Sequence, residues 1–282
     1  VSGATGSWVT GGRAGEMERL ELPPRYLSAY GPAGRYSVFV QHPGYAVWGR
    51  ENVQVARGSC GPETVRLRAE LGPEHRVLAV DLPGHGGAPR LDDYSPKRVT
   101  EIVHEQVVAA GLERPVVVGH SLGGVLATAY AAAFPAAKVI NVDQVLLLGP
   151  FGDVIRAAEP VLRGPEWRRV WERMLAGMRI DALPPAARRL VETASDPRPD
   201  LLLGYWGDIL RYTNEEVAAQ RRAELASITE RGIGYHWVTS GEPPAEYLRW
   251  LTEAAPGVEV TVLPGSHFPH LGYPAEVARL AL

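Results

Sequence analysis

Gly119-His120-Ser121-Leu122-Gly123-Gly124 is the segment whose residue types and spacing most clearly allow chemistry. It lies between an apolar run, Pro115-Val116-Val117-Val118, and an Ala-rich helix-period stretch from Ser121 to Phe134, so its G-x-S-x-G pattern falls on a strand-to-helix turn. A turn that sharp holds the serine in strained backbone geometry, and the flanking glycines remove side chains that would clash there. The new helix points its first N–H groups at the serine, which makes the Leu122 N–H a candidate oxyanion donor. A serine hydroxyl at its ordinary pKa is a poor nucleophile and needs a base that is near in space but distant along the chain. His267, in Gly265-Ser266-His267-Phe268-Pro269-His270-Leu271 after the final predicted strand, fits that role. His270 competes with it, and His42, His85 and His120 also fall near predicted strand ends, where a lone histidine is most often structural.

The elements that must position these groups follow from periodicity. From Tyr36 onward, short apolar runs alternate with helix-period segments, the pattern of βαβ units that build a parallel sheet. Strands are expected at Tyr36–Gln41, Arg76–Asp81, Pro115–Gly119, Lys138–Val142, Tyr235–Thr239 and Val258–Leu263. One helix starts at a Ser95 N-cap with Pro96 in its first position, keeps Val99, Ile102, Val103, Val107 and Ala110 on one face, and ends at Gly111. Others are expected near Ala245–Ala254 and from Pro274. Between Phe151 and Gly232 no convincing strand occurs, and a helical stretch of that length between two strands is too long for an ordinary loop. It reads as an inserted lid, whose Trp167, Trp171, Met174, Met178, Tyr205, Trp206 and Tyr212 could line an apolar pocket or pack the lid itself.

Composition bounds the partners. With 282 residues, 45% hydrophobic and 22% charged, the chain is one large domain or a core plus an insert. A net charge of −3 gives no broad reason to bind nucleic acid, and among the basic residues only Lys97 and Lys138 are lysine. Cys60 is the single cysteine, so no internal disulfide or cysteine-rich zinc site is available, and without a motif-paired histidine it reads as a small buried residue. No apolar run approaches the roughly 18 residues that cross a bilayer. Val1–Gly12, rich in Gly, Ser and Thr, reads as part of a flexible leader over 1–19 and not as a signal peptide, so a cytoplasmic location is expected.

From about Leu20 to the end the chain resembles the α/β-hydrolase family. Gly119–Gly124, Asp81-Leu82-Pro83-Gly84-His85-Gly86-Gly87 and Gly265–Leu271 carry the resemblance. It implies an α/β fold with a mostly parallel, doubly wound sheet, a core over 20–150 and 233–282, and a helical cap over 151–232. It also implies a Ser-acid-His order along the chain, with the Asp81–Gly87 segment structural and Asp81 and His85 given no catalytic role. The acid departs from the family's commonest pattern, because Gly241-Glu242-Pro243-Pro244 puts a proline where an aspartate usually falls and leaves Glu242 two residues early. The other family location, the end of the strand after the nucleophile helix, is held by Asp143 in Val139-Ile140-Asn141-Val142-Asp143-Gln144. Asp143 is favoured, since strand ends position groups more reliably than proline-rich loops, and Glu242 is the alternative. Relatives carry His-Gly after the first parallel strand, whereas Gln41-His42-Pro43-Gly44-Tyr45 has a proline without an N–H, so Gly44 or Tyr45 would give the second oxyanion donor. The resemblance implies a small-molecule substrate, no cofactor and no metal. The favoured activity is cleavage of an apolar or aromatic ester, with Trp167, Trp171 and Trp206 against the substrate. Carbon–carbon bond hydrolysis or lyase chemistry on the same residues, or a binding protein of this fold with impaired turnover, are the alternatives.

Overall fold

The computed structural model describes four strands near the start of the chain, Thr5–Thr10 (β1), Leu20–Glu21 (β2), Gly34–Gln41 (β3) and Trp48–Val55 (β4), and residues 75–85, 88–194 and 197–282. Two compact units divide it: Val1–Ser59 with His85–Ala88, and Cys60–Gly84 with Pro89–Leu282.

In the first unit the strands form one antiparallel sheet in the order β2-β1-β3-β4, with a register irregularity between Tyr36 and Val38. Two expectations change here. Thr5–Thr10, read as leader, is a full strand against Tyr36–Gln41. The strand expected at Tyr36–Gln41 is present but antiparallel to both neighbours: the link from Gln41 to Trp48 is too short for the crossover that parallel neighbours require.

The second unit is built on a parallel sheet of Val116–His120 (β5), Lys138–Val142 (β6), Gly234–Thr239 (β7) and Glu259–Val262 (β8), in that spatial order. Alternate side chains of β6 and β7 enter different cores. Val139, Tyr235 and Trp237 meet Leu122–Ala133 (α2), Asn214–Glu230 (α8) and Ala245–Ala254 (α9) through Ala127, Ala131, Leu225, Ile228, Tyr247 and Leu251. On the other face Ile140, Val142 and Val238 meet Val277 of Pro274–Arg279 (α11). Burial on both faces explains why Lys138–Val142 reads as a continuous apolar run. Each fully buried aliphatic side chain there contributes about 1.5–3 kcal/mol. Among the described residues, Arg76–Asp81, expected as another strand, takes no strand structure, since a short apolar run marks burial and does not by itself specify a ladder.

Pro96–Ala109 (α1) starts as expected, with the Ser95 hydroxyl accepting the Arg98 N–H at 3.3 Å. The segment between β6 and β7 contains Gly149–Leu162 (α3), Arg168–Gly177 (α4), a 3₁₀ turn at Ile180–Ala182, Pro185–Ala194 (α5), Pro199–Tyr205 (α6) and Gly207–Arg211 (α7). Ile155, Leu162 and Trp206 form the centre of a hydrophobic cluster among these helices. Helix α8 starts with a reciprocal Thr213–Glu216 capping box, and its Leu225 and Ile228 pack beside Trp237. The last helix of the 151–232 segment therefore covers the sheet. Among the described residues no helix is long and apolar enough to cross a membrane.

Candidate active site

The carboxyl ends of β5, β6, β7 and β8 bring four side chains to one edge of the sheet: Ser121, Asp143, Ser240 and His267. Ligands of open parallel sheets bind at this edge, beyond the strand ends.

Ser121 is the N-cap of α2 and has φ 53° and ψ −125°, a left-handed backbone that costs a non-glycine residue on the order of 1–3 kcal/mol. Its surroundings enforce it. The Ser121 N–H donates to the Val142 carbonyl at 3.0 Å, which ties the turn to β6, and the Gly124 N–H donates to the Ser121 carbonyl at 2.7 Å. A Cβ on Gly119 would lie 1.9 Å from the Gly123 carbonyl oxygen, and one on Gly124 would lie 2.4 Å from Asn141 Oδ1. Gly123 has open space around it, so the close approach rests on Gly119 and Gly124, one residue displaced from the motif's second glycine. The Leu122 N–H is in the first turn of α2 and has no intrahelical acceptor.

Asp143 also takes a left-handed backbone, φ 55°, which aspartate tolerates better than most residues. Its N–H continues the β6–β7 ladder to the Val238 carbonyl at 2.7 Å. Its Oδ2 lies 2.8 Å from His267 Nδ1 and accepts the Ser240 hydroxyl at 2.8 Å, while Oδ1 accepts the Ser240 N–H at 2.6 Å. The pair is largely enclosed, with the His267 side chain 22% exposed and that of Asp143 10%. A carboxylate on Nδ1 fixes the imidazole with its lone pair on Nε2, the state in which histidine takes a proton from a hydroxyl. Glu242 is exposed and makes no hydrogen bond or ion pair among the described residues. Ser240, which gives Asp143 two of its three donors, was not singled out in the sequence; its only signal is its place at the end of β7.

The other expected residues divide. Trp206 is 7% exposed and packs against Ile155 and Leu162, with Phe151 edge-on at 6.3 Å, so its ring is a core residue of the helical segment between β6 and β7. Trp167, under the Arg168 guanidinium, and Trp171 are half-buried. Gly44, Tyr45, His42 and Cys60 lie outside the described residues. A cavity of about 370 Å³ opens between the start of α1 and helices α3, α6 and α7, bounded by Asp93, Glu159, Arg163, Asp208 and Arg211. Neither Ser121, Asp143 nor His267 borders it, and the hydrogen-bonded geometry at the strand ends is the stronger mark of a reactive site. Among the described residues no group of three or more His, Cys, Asp or Glu is arranged to hold a metal ion.

Comparison with known proteins agrees with this architecture. Residues 38–280 match the profile described as the Alpha/beta hydrolase family. A protein of Escherichia coli O127:H6 that carries the provisional name carbamate hydrolase RutD is 34% identical over 88 residues, 30% of this chain and 33% of that protein. The chain thus spans about a third of the length of the curated relatives it matches. Two solved structures share the fold. A lipase-esterase related protein from Clostridium acetobutylicum ATCC 824 has TM-score 0.57 at 15% identity, covering 79% of this chain and 89% of its own. An AqdC variant, described in complex with its substrate as cleaving the ring of the Pseudomonas quinolone signal, has TM-score 0.61 at 18% identity, covering 88% and 94%.

Proposed function

Because the chain belongs to the alpha/beta hydrolase family, we propose that it is a cofactor-independent serine hydrolase that cleaves an ester of an apolar acyl or aromatic substrate. The observation that carries this reading is the 2.8 Å approach of His267 Nδ1 to Asp143 Oδ2 at the sheet edge where Ser121 stands in its strained turn. His267 Nε2 takes the Ser121 proton as Oγ attacks the carbonyl carbon, and the Leu122 N–H stabilises the oxyanion. The tetrahedral adduct collapses as His267 returns the proton to the leaving alkoxide, and the acyl group stays on Ser121. Water then attacks the acyl-enzyme, with His267 accepting its proton and returning it to Ser121 Oγ. Asp143 keeps the proton on Nδ1 and offsets the charge of the imidazolium. An ester is the default because an alkoxide leaves more readily than an amine. Half-buried Trp167, Trp171 and Met178 in the cap, the last bonded through its carbonyl to the His267 N–H, support an apolar acyl or aromatic group.

The test is hydrolysis of p-nitrophenyl esters by the wild type, Ser121→Ala and His267→Ala. The reading expects wild-type turnover and a loss on the order of 10⁶-fold in kcat for either variant. Turnover that survives Ser121→Ala contradicts it. Carbon–carbon bond cleavage on the same residues is the second reading, motivated by the fold shared with the ring-cleaving AqdC variant. Cleavage of a 1,3-diketone without ester turnover would favour it.

A further inference from the structure

The loop that carries His267 is fastened by its main chain as well as by Asp143. His120 Nε2 lies 2.7 Å from the His267 carbonyl oxygen. A carbonyl can only accept, so His120 carries its proton on Nε2 and keeps a lone pair on Nδ1. Burial, followed by the nearby His270 and His267, holds His120 well below the ordinary imidazole range, which keeps it neutral. Its ring centroid stands 4.8 Å from that of His267, 4.4 Å from His270 and 4.9 Å from Phe268. On the other side of the same residue, the His267 N–H donates to the Met178 carbonyl at 3.0 Å. The Ser266 hydroxyl donates to that oxygen too, also at 3.0 Å. Met178 closes α4 in the cap, just before Arg179 turns the chain through φ 52° and ψ 44°. Leu183, Ala187 and Val191 of the cap pack against Leu271 in the short helix Pro269–Gly272 (α10) that follows His267.

We propose that His120 is a positioning residue for the base: its Nε2–H, acting on the His267 carbonyl, sets where the imidazole stands relative to Ser121, opposed by the cap's Met178 carbonyl on the amide side. The inference rests on the reading of Ser121 as nucleophile and His267 as base. Asp143 orients the ring but does not touch the His267 peptide. His120 is the last residue of β5 and the neighbour of Ser121, so its hydrogen bond references the base directly to the strand end that holds the nucleophile. Without it, the hydrogen bonds among the described residues relate the two groups through Asp143 and through the β7 and β8 strand ends. A drift of about 1 Å between reacting groups costs on the order of 10²-fold in rate.

The experiment compares the wild type, His120→Ala and His120→Gln, the last retaining an N–H able to reach the same carbonyl. Ester turnover is normalised to sites counted with a fluorophosphonate, and the low-field proton NMR resonance of the His267–Asp143 hydrogen bond is recorded without substrate. The inference expects kcat per site to fall roughly 10- to 100-fold in His120→Ala with KM unchanged. It expects that resonance to broaden or move in His120→Ala, and both readouts to recover in His120→Gln. A merely structural role would lower the number of titrated sites and not the rate at each. Wild-type rate and resonance in His120→Ala, or equal loss in both variants, overturns the inference. The resonance reads the base without turnover, so a wild type that hydrolyses no ester contradicts the hydrolase reading while the resonance still decides the role of His120.

Discussion

Asp143→Asn isolates the tautomer on which the proposed mechanism depends. The substitution keeps the shape of the side chain and exchanges one acceptor oxygen for a donor. Oδ1 accepts the Ser240 N–H at 2.6 Å, and a backbone N–H can only donate, so the amide oxygen settles there. The amide nitrogen then faces His267 Nδ1, 2.8 Å away, and the imidazole can accept from it only by moving its own proton to Nε2. Nε2 then has no lone pair with which to take the Ser121 proton. In the serine–histidine–aspartate arrangement this tautomer error lowers kcat by about 10⁴-fold, which corresponds to roughly 5–6 kcal/mol in the barrier. The fold should suffer far less, since one charge-assisted hydrogen bond contributes about 1.5–3 kcal/mol. The assay is steady-state hydrolysis of a p-nitrophenyl ester, with urea denaturation to establish folding, and Glu242→Gln run beside it. Glu242 is exposed and unbonded among the described residues, so its variant is expected within about twofold of the wild type. A folded Asp143→Asn protein within tenfold of wild-type kcat, or a comparable loss in Glu242→Gln, would refute the assignment of the acid.

Two further predictions concern the frame around the site. Gly119→Ala places a Cβ 1.9 Å from the Gly123 oxygen and 2.8 Å from the Gly124 nitrogen, both backbone atoms of the turn, whereas Gly123→Ala meets nothing within 4 Å. Urea denaturation is expected to show a loss of about 3 kcal/mol or more for the first and less than about 1 kcal/mol for the second, and equal losses would contradict the close approach. Burial raises the Glu224 carboxyl from 4.5 to about 7 against the opposing pull of Arg221, 2.7 Å away. A raised carboxyl pKa stabilises the fold fully below the unfolded value and loses that stabilisation as pH rises through the folded one. Wild-type stability should therefore fall by up to about 3 kcal/mol between pH 4.5 and 8 relative to Glu224→Gln, and parallel pH profiles for the two proteins would contradict it.

The strand-to-helix turn at Ser121 was legible because everything that defines it is local: an apolar strand, glycine where no side chain fits, serine, and an Ala-rich helix in one run of sequence. The position of Asp143 could be reasoned from the rule that groups act at strand ends, and its approach to His267 is a feature of the fold. What holds those groups could not be read. Ser240, His120 and the Met178 carbonyl act on partners 97, 147 and 88 or more residues away, and no periodicity records a contact between distant strand ends. Trp206 could equally have lined a pocket or packed its neighbouring helices, because the same helical spacing serves both, and it packs against Ile155 and Leu162. Near the start of the chain, Thr5, Trp8, Val9 and Thr10 are strand-forming types, but Gly6 and Ser7 interrupt them and no apolar alternation marks the segment, which becomes β1 by pairing with β3. Arg76–Asp81 has the apolar run of a strand and takes no strand structure, because a short apolar run marks burial and does not by itself specify a ladder.

The most direct test of the central claim, that Ser121 is a nucleophile activated by His267, is the intact mass and peptide map of the protein after reaction with a fluorophosphonate. The account predicts one adduct per chain on the peptide that contains Ser121, formed much more slowly in His267→Ala and absent in Ser121→Ala. An unmodified wild-type chain, or an adduct that persists in Ser121→Ala, would contradict it.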